Sequence, residues 1–298
     1  MSVTSLPRRL AGRVARAAGG LRERAVAAAA ARALRADGDP EPLDHEFEAF
    51  QNAYPVQKDY GYGHFDKWER AMRRARYFLE AAEVLQTPGL TVLELGCGDG
   101  TLGRVLSEYP HNVVLSDLDD WRDEGVRHLP FVKGDVCEGL DLDDGSVDAV
   151  VSYNTFEHVG DPQAAFDEIV RVCRPGGHVR LAFGPLYASP WGLHAYRSLL
   201  MPYPQYLFSE GFVREKLREI GIRDLGEDRD ELQPLNGWTP GRFCALWADG
   251  PVRVVSEGFN VDRSHLDVVA QNPGAFRGRG LTLRDVTTAN VYVTLQRL

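Results

Sequence analysis

The sequence predicts an α/β fold in which a mostly parallel sheet is covered by helices on both faces. Two observations carry this prediction. Apolar segments of strand length alternate with amphipathic segments of helix length from about residue 66 to residue 184, as in chains that build parallel sheets. A glycine-rich turn in the stretch VLELGCGDG, residues 92–100, joins the first strand directly to a helix.

Each element is predicted from its own signal. Short apolar runs predict strands at 92–95, 112–119, 129–136, 146–154, 178–184, 252–257 and 290–298. Apolar residues at helical spacing predict helices at 66–85, 102–109, 161–173, 209–220 and from about residue 240. The last strand alternates, and its terminal position suits an antiparallel edge. Between strand five and the late helices, residues 185–239 form an insert that is rich in proline and aromatic residues in its first half.

The first 44 residues are expected to be a tail and linker, and residues 45–298 the globular domain. Residues 1–36 contain eight arginines and a single acid, Glu23, in a chain whose net charge is −9. Apolar residues from Leu6 to Leu21 fall on one helical stripe, which could contact an anionic membrane surface. Because glycines interrupt the stripe, a partly helical and loosely attached tail is the preferred interpretation.

Composition argues against several classes of protein. No run of about 18 apolar residues is present, so no membrane span is expected. The acidic body of the chain argues against a nucleic-acid partner, which would require a basic face. The four cysteines are scattered without a CxxC pair, which is typical of thiols in a reducing compartment, so a cytoplasmic location is expected.

The glycine turn favours one nucleotide cofactor over another. Dinucleotide-binding turns have the spacing GxGxxG, whereas this turn has GxGxG with Glu94 two residues before its first glycine. A carboxylate at that place repels a pyrophosphate and attracts an ammonium group. Asp117 and Asp135 end the second and third strands, where they can accept ribose hydroxyls and an adenine amino group. S-adenosylmethionine carries an ammonium group, a ribose and adenine but no phosphate, and it is the predicted cofactor.

Residues from about Leu90 to Gly184 resemble the class I S-adenosylmethionine-dependent methyltransferases. The resemblance rests on five motifs in the family's order: VLELGCGDG, LSDLD, GDV, VDAVVSYNTFEHVGDP and RVCRPGGHVRLAFGP. It implies a Rossmann-like, seven-stranded sheet of order 3-2-1-4-5-7-6 with an antiparallel last strand. The remaining features, an N-terminal helical extension and the insert at about 185–239, fall outside the motifs, and the insert is expected to contact the acceptor as a lid.

The resemblance also implies a set of cofactor-binding residues. Around the methionine moiety these are Glu94, Gly96, Gly98, Gly100 and Asn154. Asp117 would bind the ribose, while Leu118, Asp135 and Val136 would surround the adenine. A structural role remains the alternative, since the glycines could only form a tight turn and the two aspartates could only cap helices.

Two histidines are candidates for a catalytic base. A hydroxyl acceptor must lose its proton, and histidine is the usual base near neutral pH. His194 lies in the aromatic segment SPWGLHAY, and His158 follows strand four, where it could instead serve the structure. His64 is a weaker third candidate. The acids of DLDDWRDE, 117–124, could bind a divalent ion, but acids in such a loop are usually solvated, and no metal is predicted.

The predicted function is O-methylation of a hydroxyl on a small molecule, a sugar or a polyketide-like ring that could stack on the aromatic insert. The alternatives are C- or N-methylation, for which neither histidine need be essential, and a non-catalytic protein that binds adenosylmethionine. A nicotinamide-dependent dehydrogenase is disfavoured by Glu94 and by the glycine spacing. The acceptor and the oligomeric state cannot be predicted from the sequence.

Overall fold

A computed structural model describes residues 8–56, 61–224 and 227–298 of the 298-residue chain. The strands are β1 Thr91–Leu95, β2 Asn112–Asp117, β3 Phe131–Lys133, β4 Val147–Tyr153, β5 Cys173–Phe183, β6 Ile222–Asp224, β7 Glu227–Arg229, β8 Val252–Val261 and β9 Thr288–Arg297. The helices are α1 Arg8–Arg35, α2 Phe47–Ala53, α3 His64–Ala81, α4 Thr101–Leu106, α5 Pro162–Val172, α6 Pro204–Leu207, α7 Glu210–Ile220, α8 Pro240–Asp249, α9 Leu266–Gln271, α10 Pro273–Phe276 and α11 Leu283–Thr287.

Seven strands form one sheet in the order β3-β2-β1-β4-β5-β9-β8. Strands β1 to β5 are parallel to one another, and β9 runs antiparallel to both β5 and β8. Counted along the main sheet, this is the predicted order 3-2-1-4-5-7-6 with an antiparallel last strand. The predicted α/β, Rossmann-like fold is therefore confirmed. The short hairpin β6–β7 forms a separate two-stranded sheet.

The sheet separates two apolar cores, one on each of its faces. Along β1, Leu93 and Leu95 belong to one buried cluster, which also contains Phe166 of α5. Val92 belongs to a second cluster, together with Phe78 of α3. Alternate residues of a strand point to opposite faces, so near-continuous apolar runs are required where helices cover both sides.

The prediction that the last strand lies at an edge of the sheet is wrong. Its terminal position suggested an edge strand, but β9 lies inside the sheet between β5 and β8, and Val291, Val293 and Leu295 are fully buried. The edge is β8, on which Val254 and Val255 are 42% and 47% exposed. An interior strand at the chain terminus is possible because β8 and β9 form an antiparallel pair that adds to β5 as a unit.

The insert packs into a third apolar core at one end of the molecule. Its buried residues Leu199, Tyr203 and Phe208 share a cluster with Phe276 of α10. Tyr203 also donates a hydrogen bond to Val286 O at 3.0 Å. Part of residues 185–239, the segment predicted to be a lid over the acceptor, is therefore buried in an apolar core. The contact of this segment with the acceptor stays a prediction.

Helix α1 joins the same third core through its second half. Ala30, Ala33 and Leu34 are buried there, at 0%, 4% and 4% exposure, and Leu21 is 67% exposed. The expectation of a loosely attached tail is therefore wrong for the end of α1, because these small and apolar residues contact α9 and α10. Leu6, the first residue of the apolar stripe, lies outside the described residues. The proposed boundary at residue 44 stays a prediction.

In the described part of the chain, no helix combines the length and the apolar character that crossing a bilayer requires.

Candidate functional site

The glycine turn after β1 has the backbone that its sequence requires. Gly96, Gly98 and Gly100 have φ angles of +70°, +53° and +73°, a region that side chains with a Cβ rarely adopt. A Cβ on Gly96 would lie 2.2 Å from the Thr155 side chain, and one on Gly100 would lie 2.7 Å from Val126. A Cβ on Gly98 would meet nothing within 4 Å. The two outer glycines therefore permit packing, whereas the middle one faces open space.

Asp117 at the end of β2 holds this turn in place. Its carboxylate accepts a hydrogen bond from Gly98 N at 2.8 Å and another from Leu118 N at 2.8 Å. Burial raises the pKa of Asp117, while these backbone donors and the Trp121 indole act against that shift. Asp117 does not cap a helix. Each carboxylate oxygen can accept more than one hydrogen bond, which suits the two hydroxyls of a ribose.

Glu94 lies beneath the turn in an unusual environment for a carboxylate. It is 3% exposed, and its Oε2 atom has no hydrogen-bond partner in the structure. Burial raises the pKa of Glu94 to about 8, with the nearby Gly103 backbone opposing that shift. An unpartnered buried carboxylate oxygen is costly, and a cationic group bound at the turn would offset that cost.

Arg74 is a site residue that the sequence analysis missed. Its guanidinium lies 4.3 Å from the centre of the Tyr153 ring at the end of β4. Burial lowers the pKa of Arg74, and the charges of Asp99 and Glu94 partly restore it. Arg74 therefore places a cation beside the glycine turn and the two acids. Its only signal in the sequence is a polar position within the α3 segment RRARYF, which does not distinguish it from the solvated arginines around it.

The predicted adenine residues surround the ends of β2 and β3. Leu118 is 62% exposed directly after Asp117, and Trp121, which the sequence analysis did not select, is also 62% exposed. Val136 is buried. Asp135 accepts a hydrogen bond from Cys137 N at 2.9 Å within a turn, and the described segment between β3 and β4 contains no helix that it could cap. Large exposed apolar side chains beside Asp117 suit the flat face of a base.

The acids of 117–124 contact cations of the chain itself. Lys133 donates to Asp119 at 2.7 Å, Arg122 donates to Asp120 at 2.8 Å, and Lys67 donates to Asp123 at 2.9 Å. These ion pairs engage three of the five acids in the segment.

The two candidate histidines lie together, although 36 positions separate them in the sequence. The ring centres of His158 and His194 are 4.9 Å apart in an edge-to-face arrangement. His158 Nδ1 donates to Pro234 O at 2.8 Å, and His194 Nε2 donates to Pro185 O at 2.7 Å. Because a carbonyl only accepts, each of those nitrogens carries a proton. In the neutral rings the lone pairs are then on His158 Nε2 and His194 Nδ1.

Two features hold the histidine pair at this edge of the sheet. Asn236 clamps the loop that carries His158, since its side chain donates to Phe156 O at 2.7 Å and to Val159 O at 3.1 Å. His194 has a φ of +59°, a strained conformation for a residue with a side chain, and such strain is concentrated at functional sites. Asn154, at the end of β4, also has a positive φ of +54° and is exposed.

His64 lies elsewhere, at the first position of α3. It is exposed, and its ring contacts Trp68 with the centres 6.0 Å apart. The structure therefore brings together two of the three candidate histidines.

Known proteins resemble this chain in its central part. A family model described as a methyltransferase domain matches residues 93–181. A glycine/sarcosine/dimethylglycine N-methyltransferase of Actinopolyspora halophila is 30% identical over 173 residues, which cover 52% of this chain and 30% of that protein. A demethylmenaquinone methyltransferase of Beutenbergia cavernae is 32% identical over 160 residues, which cover 52% of this chain and 62% of that protein.

A sterol 24-C-methyltransferase of Yarrowia lipolytica is 30% identical over 139 residues, which cover 40% of this chain and 36% of that protein. Among solved structures, an S-adenosylmethionine-dependent methyltransferase of Methanosarcina mazei aligns with 71% of this chain and 94% of its own, at 18% identity and a TM-score of 0.46. The chain thus spans about a third of the length of several of the curated relatives that it matches.

The matched residues 93–181 contain the glycine turn, Asp117, Asp135 and the end of β4. They include every predicted cofactor-binding residue and His158, whereas His194 and the insert lie beyond them. Residues 93–181 therefore match a methyltransferase domain, and the methyl donor that this match implies is S-adenosylmethionine.

Proposed function

We propose that the chain is an S-adenosylmethionine-dependent methyltransferase that methylates a hydroxyl oxygen of a small molecule, such as a sugar or a polyketide-like ring. The observation that carries the oxygen assignment is the convergence of His158 and His194, whose ring centres are 4.9 Å apart. Both follow parallel strands that end at the edge where the glycine turn lies, and both donate one ring N–H to a backbone carbonyl.

The chain's own residues fit the proposed cofactor. The unpartnered Glu94 oxygen and the open space over Gly98 favour a cationic amino acid moiety against the turn. The Arg74 guanidinium, which lies near the turn, would bind the carboxylate of the same moiety. Asp117 would accept both ribose hydroxyls, and Leu118 and Val136 would contact the adenine. When bound, the cofactor supplies a methyl group on a positively charged sulfur, which is an activated leaving group.

The acceptor side must then hold a hydroxyl and remove its proton. His194 Nδ1 and His158 Nε2 are the acceptors in the neutral rings, because the other nitrogen of each ring donates to a backbone carbonyl. Those carbonyls also fix the ring orientations. A base that is held in this way is worth about 10²–10⁴-fold in rate, and the rest of the acceleration comes from positioning the acceptor.

Methyl transfer from labelled S-adenosylmethionine to a panel of hydroxyl-bearing sugars and aromatic polyketides tests the proposal. We expect label in at least one hydroxyl acceptor and none in the O-methylated form of the same compound. Activity restricted to amines or to carbon acceptors would contradict the oxygen assignment and leave the methyltransferase assignment intact.

N- or C-methylation is the second candidate function, and the names of the relatives favour it. The similar proteins include an N-methyltransferase and C-methyltransferases of sterols and quinones. An amine that binds in its neutral form carries its own lone pair, so a base would contribute little. The rate effect of the two histidines therefore separates the two candidates.

A further inference from the structure

We infer that Glu157, His158 and His194 form a binding site for one divalent first-row transition metal ion, with Zn²⁺ as the expected occupant. One ligand atom from each residue lies within 4.8 Å of the other two. Two imidazoles and one carboxylate form a donor set that zinc and similar ions prefer. This inference deepens the proposed function of this edge of the sheet. The role of the ion in catalysis rests on the proposed function, whereas the binding of the ion does not.

One oxygen of the buried Glu157 carboxylate lacks a hydrogen-bond partner among the described residues. Glu157 is 2% exposed, its Oε1 accepts a hydrogen bond from Gly184 N at 3.0 Å, and its Oε2 has no hydrogen-bond partner in the structure. No lysine or arginine forms an ion pair with Glu157 within the part of the chain that the structure describes. A buried carboxylate oxygen that lacks a donor is costly, and a metal ion would satisfy it.

The two histidines have the orientation of metal ligands. In metal sites, a ligating histidine usually donates its other ring N–H to a carboxylate or a backbone carbonyl, which fixes the tautomer. His158 does so to Pro234 O and His194 does so to Pro185 O. In the neutral rings the lone pair is then on His158 Nε2 and on His194 Nδ1, and His158 Nε2 lies 4.0 Å from Glu157 Oε1.

The three ligand atoms lie farther apart than the ligands of one zinc ion, so their side chains must move when the ion binds. Two ligands of one tetrahedral zinc ion are about 3.4 Å apart for bonds of about 2.0–2.2 Å. His158 Nε2 and Glu157 Oε1 are 4.0 Å apart, and all three ligand atoms lie within 4.8 Å of one another, so side-chain rotations must bring the ligands closer by up to about 1.4 Å. Three protein ligands leave a fourth position open for water or for an acceptor oxygen, as in catalytic rather than structural zinc sites.

The site comes from four separate parts of the chain. Glu157 and His158 follow β4, Gly184 and Pro185 follow β5, His194 belongs to the insert, and Pro234 precedes α8. The sequence analysis predicted no metal because it weighed only the acids of 117–124. The present cluster differs from that loop in its donor types, in its burial and in its lack of a paired cation on Glu157.

The test uses the full-length protein after treatment with a chelator. Titration with ZnCl₂ in a calorimeter is expected to give one tight equivalent, retained after desalting and counted by elemental analysis. Two variants keep the backbone hydrogen bond and delete the ligand nitrogen: His158→Asn retains a donor at the Nδ1 position, and His194→Gln retains one at the Nε2 position. Each should weaken zinc binding more than about tenfold.

The exposed His128 provides the matched control, since His128→Ala removes an imidazole from elsewhere on the surface and should leave zinc binding unchanged. Visible absorption of added Co²⁺ reports the coordination in the wild-type protein, so the test does not depend on a variant that folds poorly. Zinc binding that is absent, or that is equal in wild type, His158→Asn and His194→Gln, would overturn the inference. Adenosylmethionine binding is measured in the same samples. Its retention in a protein that does not bind zinc would show that the metal site fails while cofactor binding stands.

Discussion

The two halves of the candidate site are built by different means. Most of the cofactor half lies within residues 91–136, where β1, the glycine turn and the ends of β2 and β3 follow each other along the chain, and Arg74 and Asn154 add to it from α3 and the end of β4. The acceptor half is assembled from distant segments, as in the hydrogen bond from His158 to Pro234 across 76 positions. The first half depends on local backbone geometry and the second on long-range packing, so each should respond to a different kind of change.

The largest effect is expected in the acceptor half. His194→Ala should lower kcat by about 10²–10⁴-fold if His194 accepts the hydroxyl proton, while adenosylmethionine affinity changes little. Single-turnover kinetics with a hydroxyl acceptor, alongside calorimetry, measures the two separately. His158→Ala is the companion variant, and a larger kcat loss there would move the base to His158. If both variants keep more than about a tenth of the wild-type rate, C- or N-methylation becomes the better assignment.

The cofactor half should respond through affinity. Asp117→Ala removes a charged acceptor from two ribose hydroxyls, a loss of roughly 1.5–3 kcal/mol or about 10–150-fold in Kd. Calorimetry with adenosylmethionine and with adenosylhomocysteine measures it, and both ligands should weaken together. Asp119→Ala is the matched control because Asp119 contacts Lys133 instead. An unchanged Kd in Asp117→Ala would remove the ribose assignment.

Substitutions in α1 should affect stability according to whether the residue is buried in the third core. Leu34 is 4% exposed and Leu21 is 67% exposed on the same helix. Leu34→Ala should lower the free energy of unfolding by about 2–3 kcal/mol, whereas Leu21→Ala should change it by less than about 0.5 kcal/mol. Denaturant unfolding of both variants measures the contrast. Equal, small effects would restore the expectation that this segment is loosely attached.

A pH dependence follows from Glu94. Its pKa is raised to about 8 by burial, so the folded state binds the proton more tightly than the unfolded state. The free energy of unfolding of the cofactor-free protein should therefore fall as the pH rises from about 5 towards 8, by up to about 1.4 kcal/mol for each pH unit. Burial also raises the pKa of Glu157 to about 8, so Glu94→Gln should reduce this slope in denaturant titrations by the share that Glu94 contributes. A slope that is identical in the variant would place the titrating group elsewhere.

The smallest effect is expected inside the turn itself. Cys97 is buried, and burial raises the pKa of its thiol, so it is a packing residue rather than a nucleophile. Cys97→Ala should weaken adenosylmethionine binding less than Glu94→Ala does. The reverse order in calorimetry would count against an ammonium group at Glu94.

The fold of the cofactor half could be predicted from the sequence for a physical reason, while the roles of its side chains stay predictions. A positive φ at Gly96 and an acid at the end of β2 leave local signals, because only glycine adopts that backbone freely and parallel strands end at one edge. Arg74 left no such signal, since one arginine of a helix resembles the next. Glu157 was read only as part of a motif, and its contact with His194 depends on the path of the insert. The burial of Leu34 depends on α9 and α10, more than 200 residues away.

The central claim is that a glycine turn lined by acids binds adenosylmethionine and not a dinucleotide. Titration of the full-length protein with S-adenosylmethionine and, separately, with NAD⁺ in a calorimeter tests it most directly. The account predicts micromolar binding of S-adenosylmethionine, no detectable heat with NAD⁺, and loss of the first signal in Asp117→Ala. Binding of NAD⁺ with an affinity equal to or higher than that of S-adenosylmethionine would contradict it.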